Sequence, residues 1–156
     1  MKDSLNPKFI LGCFISLAVI LFSFNNTPLF DQDEAAYAGF AKNMLETKNW
    51  LFPDFTWSDI HRKTPLHFWN IAFFYKIFGV NEFAVRFSSS LFVFFTYLIV
   101  YVLGKKLVTK KQAFYASMIL ATSLLVPVLG KMAVTDGTLL FFSTLCAFSL
   151  IFIIKY

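Results

Sequence analysis

The sequence predicts an all-α, polytopic membrane protein with about four transmembrane helices and two further helices at the external membrane surface. Of the 156 residues, 58% are apolar and only 15% are charged, whereas charged residues make up about 25% of soluble domains. Four apolar stretches, nearly free of charge, come close to the ~17–25 residues that cross a bilayer. We place these spans at residues 9–30, 83–104, 112–130 and 137–154 of one unit covering residues 1–156. The composition excludes a disordered chain and argues against a soluble domain.

The positions of the lysines give the spans an orientation. Threading four spans in order puts seven lysines on one side of the membrane: Lys2, Lys8, Lys105, Lys106, Lys110, Lys111 and Lys155. Cytoplasmic loops carry such an excess of basic residues, so topology accounts for the net charge of +5 without a nucleic-acid partner. We therefore expect a multi-pass protein of the cytoplasmic (inner) membrane, surrounded by lipids, with both termini cytoplasmic. Residues 31–82 then form an external or periplasmic loop.

Two short helices are expected within this external loop. From Glu34, apolar residues recur at helical spacing through Tyr37, Phe40, Ala41, Met44 and Leu45, which is typical of an amphipathic helix. Thr64 and Pro65 favour the start of a second helix, because threonine is a good N-cap and proline is tolerated at the first helical position. The following segment, Leu66–Phe78, is too short to span, and Gly79 is suited to end it.

Acidic residues mark both membrane exits on the external side. Asp31 and Glu34 have the spacing of a helix capping box, and acids near a helix N-terminus are stabilised by its dipole. That structural interpretation leaves Asp33 without a role. The alternative is that a carboxylate beside a low-dielectric boundary removes a proton from an attacking hydroxyl. Asp136 begins the fourth span, where a carboxylate is costly unless it is paired or functional.

Basic residues precede the second external helix. His61, Arg62 and Lys63 form either an ordinary solvated cluster or, together with the helix N-terminus, an anion site suited to a phosphate. The spacing of His61 and His67 does not match helical metal ligands. Arg86, just inside the second span, is compatible with simple snorkelling to the interface.

Several segments, in order, resemble the N-terminal part of the GT-C membrane glycosyltransferases. They begin at Asp33 (DEAAYA), Asn49 (NWLFP), Lys63 (KTPLHFW), Phe78 (FGVNEFAVR) and Ala133 (AVTDG). The resemblance is greatest to the lipid A aminoarabinose transferases and to their relatives, the dolichyl-phosphate-mannose-protein mannosyltransferases. The ordered set is far more specific than any one segment.

The resemblance implies a transferase that takes a sugar from a polyprenyl-phosphate donor and passes it to a lipid or protein acceptor on the external face. It implies catalytic roles for Asp33, Glu34 and Asp136, with Asp33 as the base or the acid that positions the acceptor. It also implies a donor-phosphate contact for Lys63, to which the basic cluster adds Arg62. Because the sugar arrives on a lipid, no nucleotide-binding loop is required.

Two departures from the family pattern affect these expectations. Thr64 replaces a proline, which leaves Pro65 to open the helix. Arg62 occupies the position where the aminoarabinose transferases have a metal-binding glutamate, so we carry over neither a metal nor any other cofactor. Family members also have many more spans, so we do not expect these 156 residues to be active alone. The alternative function is a non-catalytic membrane module that binds polyprenyl phosphate or a partner protein.

Overall fold

In a computed structural model, the described part of the chain comprises residues 7, 12, 28–29, 32–52 and 65–155. Its regular structure is entirely helical, as predicted. The helices are α1 (Gln32–Thr47), α2 (Leu66–Phe78), α3 (Glu82–Leu107), α4 (Lys110–Thr122), α5 (Leu125–Lys131) and α6 (Thr135–Lys155). The predicted first span lies outside the described residues except for Gly12, Pro28 and Leu29.

Two of these helices are long and apolar enough to cross a membrane, namely α3 with 26 residues and α6 with 21. They contain the whole of the predicted spans at 83–104 and 137–154. The α4–α5 pair passes the same test only when its two helices are taken together, and they are bent by 61°. The described residues therefore hold two or three candidate spans, and the total of four stays a prediction.

The predicted third span differs from expectation because it is broken after Thr122. Ser123 is extended, with φ −63° and ψ 146°, and Pro127 is the third residue of α5. In an uninterrupted helix, the Pro127 ring would clash with the Ser123 carbonyl and leave it without a donor. In the first turn of α5, by contrast, the missing N–H is one that has no intrahelical partner. Pro127 thus explains why the helix is interrupted at Ser123, one turn before the proline.

Helix α3 is central and packs against α2, α4, α5 and α6. It runs parallel to α6. Near their starts, the Ser89 hydroxyl donates to the Val134 carbonyl, which immediately precedes α6, at 3.1 Å. Near their ends, Lys106 Nζ lies 5.9 Å from the centre of the Phe152 ring. The lysines near the C-termini of α3 and α6 therefore lie at one end of the helices, and Asp136 lies at the other.

Helices α1 and α2 cover the N-terminal end of α3. The predicted apolar face of α1 is confirmed, since Tyr37, Phe40, Ala41 and Met44 are buried in one cluster with Phe68, Ile71 and Val85. Gly79 ends α2 as expected, with φ 79° and its N–H bonded to the Tyr75 carbonyl at 3.0 Å. This packing brings the first turn of α1 onto the first turns of α3.

Candidate functional site

The centre of the candidate site is a buried ion pair between α1 and α3. Arg86 Nε donates to Glu34 Oε1 at 3.0 Å, and Arg86 Nη2 donates to Glu34 Oε2 at 3.1 Å. Glu34 is 1% exposed and Arg86 is 4% exposed. A bidentate guanidinium–carboxylate pair fixes both distance and orientation. Glu34 is therefore held rigidly in the first turn of α1.

Two backbone groups also form hydrogen bonds with this pair. The Ala133 N–H donates to Glu34 Oε1 at 2.7 Å, and Arg86 Nη2 donates to the Pro28 carbonyl at 2.9 Å. Charges taken out of water are tolerated when their remaining hydrogen-bonding groups are also satisfied. The pair thus joins the segment before α1, helix α1, helix α3 and the α5–α6 connection.

The structure corrects the snorkelling interpretation of Arg86. Its side chain turns into the protein to reach Glu34 and is almost entirely buried. The sequence around Arg86 is equally compatible with a guanidinium that points to the membrane interface and with one that points into the protein. The signal available in the sequence was that Glu34 is acidic on the buried side of an amphipathic pattern, and such a residue needs a cation.

Small residues let α6 approach α3 closely beside the ion pair. Ser88, Ser89 and Ser90 are all fully buried, and the Ser90 hydroxyl donates to the Gly130 carbonyl. A Cβ atom at Gly137 would lie 3.2 Å from the Ser89 carbonyl oxygen. Small residues at helix contacts, with hydroxyls bonding across them, are typical of packing in membranes. They hold the first turn of α6 against α3.

A second buried polar contact joins α2 to α6. His67 is 2% exposed, and its Nδ1 lies 3.3 Å from the Thr138 hydroxyl. Burial lowers the pKa of His67 to about 4. A hydrogen bond with the Ala133 backbone and the negative charge of Asp136 act to raise this pKa, but their effect is smaller than that of burial. The imidazole is therefore neutral at physiological pH. Reasoning from sequence missed this residue because it considered His67 only as a metal ligand.

Asp33 and Asp136 are both exposed, in contrast to Glu34. Asp33 precedes Glu34, and Asp136 follows Ala133 by three residues. The hydrogen bond between Glu34 and Ala133 consequently brings the two segments together. Both aspartates are thus attached to a rigid support while their carboxylates remain open to solvent. Such groups are available to a substrate.

The remaining predicted site residues, Arg62 and Lys63, lie outside the described residues, as do Asp31, His61 and Thr64. Helix α2, which follows them, is described from its first turn, and Pro65 precedes it with φ −69°. Within residues 32–52 and 65–155, no three histidine, cysteine or acidic side chains are grouped in a way that would hold a metal ion.

A cavity of about 300 Å³ lies on another side of α1, between α1, the end of α2 and the start of α3. Its lining includes Gly39, Lys42, Tyr75, Glu82 and Val85. Burial raises the pKa of Tyr75, and the negative charge of Glu82 raises it further. Neither Glu34 nor Arg86 is among the residues that line it.

Comparison with known proteins finds similarity to membrane glycosyltransferases. A protein of Aquifex aeolicus with no assigned function is 32% identical over 74% of this chain and 23% of its own length. The undecaprenyl phosphate-α-4-amino-4-deoxy-L-arabinose arabinosyl transferase of Pseudomonas savastanoi pv. phaseolicola is 30% identical over 73% of this chain and 21% of its own. A similarly named transferase of Sodalis glossinidius is 32% identical over 77% and 23%, respectively.

The chain spans about a fifth of the length of these relatives. No solved structure matches it significantly. The family described as dolichyl-phosphate-mannose-protein mannosyltransferase matches residues 62–156, which include α2 to α6 and therefore Arg86, Ala133 and Asp136. On this match, and in agreement with the resemblance carried by its motifs, the chain belongs to the dolichyl-phosphate-mannose-protein mannosyltransferase family of GT-C membrane glycosyltransferases.

Proposed function

We propose that this chain forms the N-terminal part of an enzyme that transfers a sugar from a polyprenyl-phosphate donor to a lipid or protein acceptor. The reaction takes place on the external face of the cytoplasmic membrane. Four spans cross the membrane, and α1 and α2 lie at its external surface. The charge distribution supports this orientation, because the lysines near the ends of α3 and α6 are at the opposite end from Asp136.

The observation that carries the proposal is that Asp33 precedes a residue whose side chain is fixed. Its neighbour Glu34 is held by two hydrogen bonds from Arg86 and one from the Ala133 N–H. We call these hydrogen bonds, which Glu34 accepts from Arg86 and Ala133, the Glu34 frame. A catalytic group must be positioned closely, because a misplacement of about 1 Å can cost a hundredfold in rate. Glu34, buried and fully engaged, is suited to position Asp33, and Asp33 is exposed and free to meet a substrate.

Asp33 then acts as the general base for the acceptor. As the acceptor oxygen attacks the anomeric carbon, its proton passes to the Asp33 carboxylate, and the bond from that carbon to the donor phosphate breaks. Asp136, attached to the Glu34 frame through Ala133, helps to orient the acceptor. Lys63 and Arg62 stabilise the negative charge of the departing polyprenyl phosphate.

The exposed face of α2 supports its placement at the membrane surface. Leu66, Trp69, Phe73 and Ile77 lie along this face and are 39–58% exposed. At its edge, Lys76 Nζ lies 5.1 Å from the centre of the Trp50 ring, and Trp69 Nε1 donates to the Trp50 carbonyl at 2.7 Å. Tryptophan and lysine side chains of this kind favour the headgroup region.

The test is a transfer assay with the protein purified at its native length. The donors are undecaprenyl phosphate-linked 4-amino-4-deoxy-L-arabinose and dolichyl phosphate-linked mannose, each with a labelled sugar. Membrane extracts containing lipid and protein supply the acceptors. We expect transfer from at least one donor, a loss of more than about a hundredfold in kcat for Asp33→Asn, and full activity for the neighbouring exposed variant Gln32→Ala. An active Asp33→Asn enzyme would contradict the role of the base.

Lys63→Ala provides a separate test of donor binding. It should raise the donor KM, because a phosphate contact present throughout the reaction contributes to ground-state binding. An unchanged donor KM would refute that contact. Saturable binding of the polyprenyl phosphate by a wild-type protein that transfers no sugar would instead establish the non-catalytic module.

A further inference from the structure

His67 is a buried titratable residue in the first turn of α2. Its ring is enclosed within the protein, with the edge of Tyr37 at a centroid distance of 5.6 Å. It is the second residue of α2 and follows Lys63 by four positions. The helix turn that carries His67 therefore directly continues the segment with the predicted donor-phosphate contact.

The partner of His67 is equally informative. Thr138 is 6% exposed and lies two residues after Asp136, in the first turn of α6. A threonine hydroxyl inside a helix commonly bonds to a carbonyl of its own helix. Thr96, Thr122 and Thr144 do so here, with donor–acceptor distances of 2.7–2.9 Å. The Thr138 hydroxyl contacts another helix instead, through His67 Nδ1 at 3.3 Å.

The second ring nitrogen shows that stability alone does not explain this histidine. Within residues 32–52 and 65–155, His67 Nε2 is buried and has no hydrogen-bond partner, and an unsatisfied polar group in the interior is unfavourable. An apolar ring would fill the same space without that penalty. The ring has polar contacts with two groups beside α6, namely the Thr138 hydroxyl at 3.3 Å from Nδ1 and the Ala133 backbone, whose hydrogen bond acts to raise the pKa of the imidazole.

We propose that His67 is a positioning residue for the transfer reaction, and that its bond to Thr138 holds Asp136 in register with the first turn of α2, the helix that follows Lys63 in the chain. This inference rests on the proposed function. The bond spans 71 positions of the chain and joins two first turns, one after Lys63 and one containing Asp136. The hydrogen bond from Ala133 to Glu34 holds the chain before Asp136, and the His67–Thr138 contact holds it after Asp136. The lowered pKa of His67, about 4, agrees with this arrangement, because it keeps the ring neutral at physiological pH.

Substitutions can separate the two ring nitrogens. An asparagine amide at position 67 reaches the place of Nδ1, whereas a glutamine amide reaches the place of Nε2. In the native-length enzyme, with rates expressed per folded molecule, we expect His67→Asn to keep kcat within about twofold of wild type. His67→Gln and Thr138→Val should each lower kcat by roughly ten- to a hundredfold with an unchanged donor KM. The double variant His67→Gln/Thr138→Val should have a kcat no lower than that of either single variant, because both substitutions remove the same contact.

Thr144→Val is the matched control, because its hydroxyl bonds within the same helix, to Leu140 at 2.7 Å, and its kcat should remain at the wild-type value. Thr138→Ser keeps the hydroxyl and should also remain active. The inference is overturned if Thr138→Val behaves like Thr144→Val, or if His67→Gln is active while His67→Asn is not. A purely structural role would reduce the folded fraction and leave kcat per folded molecule unchanged. Absence of transfer by the wild-type enzyme would instead overturn the proposed function itself.

Discussion

Arg86 holds Glu34 in a bidentate ion pair across 52 positions of the chain, with nitrogen–oxygen distances of 3.0 and 3.1 Å. Neither side chain is accessible to water to any useful extent. The pair lies where α1 meets α3, and it also receives the Ala133 N–H. The pair therefore links the acidic segment of α1 to α3 and, through the Ala133 N–H, to the connection that precedes α6.

Arg86→Ala should destabilise the protein strongly, because it leaves the Glu34 carboxylate buried without its cation. Breaking a buried pair in this way costs about 3–5 kcal/mol. Arg86→Lys should recover only part of this loss, since an ammonium group cannot reproduce the planar bidentate contact. The measurement is the free energy of unfolding in mixed micelles with increasing denaturing detergent.

The control for this prediction is Lys42→Ala, which removes an exposed pair with Glu46 at 3.7 Å. Exposed pairs contribute about 0–1 kcal/mol. If Arg86→Ala and Lys42→Ala were equally stable, the buried pair would not be the support that the structure indicates.

Gly137→Ala should be destabilising although alanine favours helices. A Cβ atom at this position lies 3.2 Å from the Ser89 carbonyl oxygen, which belongs to the backbone of α3 and has little freedom to move. The matched substitution is Gly104→Ala, whose Cβ would lie 3.5 Å from Ala113 Cβ, an ordinary contact. There the helix propensity of alanine, about 1 kcal/mol better than glycine, should make the change neutral or stabilising.

Thermal unfolding of the two glycine variants in detergent measures this difference. Gly137→Val serves as the stronger test, because its larger side chain should cost about 1–3 kcal/mol through overpacking. Equal melting temperatures for Gly137→Ala and Gly104→Ala would show that α3 and α6 are not packed as closely as described.

The elements that the sequence predicts well are those set by local patterns. The helical periodicity of α1, the proline start and glycine end of α2, and the apolar lengths of α3 and α6 all depend on residues close together in the chain. The break before α5 was missed because Pro127 near a helix end is compatible with either a continuous or an interrupted span. Its effect depends on the Ser123 carbonyl one turn earlier.

The site was harder to predict because its contacts join distant segments. Glu34 and Arg86, or His67 and Thr138, have no sequence spacing that predicts their contact. Asp33, Glu34 and Asp136 were singled out by their positions at the membrane exits, and the catalytic roles that the family resemblance implies for them stay predictions. What the structure adds is the difference between a buried Glu34 and two exposed aspartates.

The stability of the protein should decrease as the pH falls from about 6.5 to about 4. His67 has a pKa of about 4 when folded and about 6.5 when unfolded. Between these values the unfolded state binds the proton and the folded state does not, so acidification favours unfolding. Above pH 6.5 both states are neutral at this residue and it contributes no pH dependence. The full difference corresponds to about 3 kcal/mol.

Comparison of wild type with His67→Asn isolates this effect from that of other titrating groups. The variant has no imidazole, so its unfolding free energy should depend less on pH within that window. The measurement is the detergent-unfolding midpoint at half-unit steps of pH. Parallel pH curves for the two proteins would contradict a histidine that is kept neutral by burial.

The three acidic residues of the site should separate into two classes when each is changed to its amide. Asp136→Asn alters an exposed carboxylate, so the melting temperature should stay within a few degrees of wild type while kcat for sugar transfer falls, by roughly a hundredfold if Asp136 orients the acceptor. Glu34→Gln leaves the Arg86 guanidinium buried opposite a neutral amide, so both melting temperature and kcat should fall. Measuring the two quantities on the same preparations distinguishes a residue that contacts substrate from one that holds another residue in place. A Glu34→Gln enzyme with normal stability and no transfer would mean that this carboxylate takes part in the chemistry directly, despite its enclosure by Arg86 and Ala133.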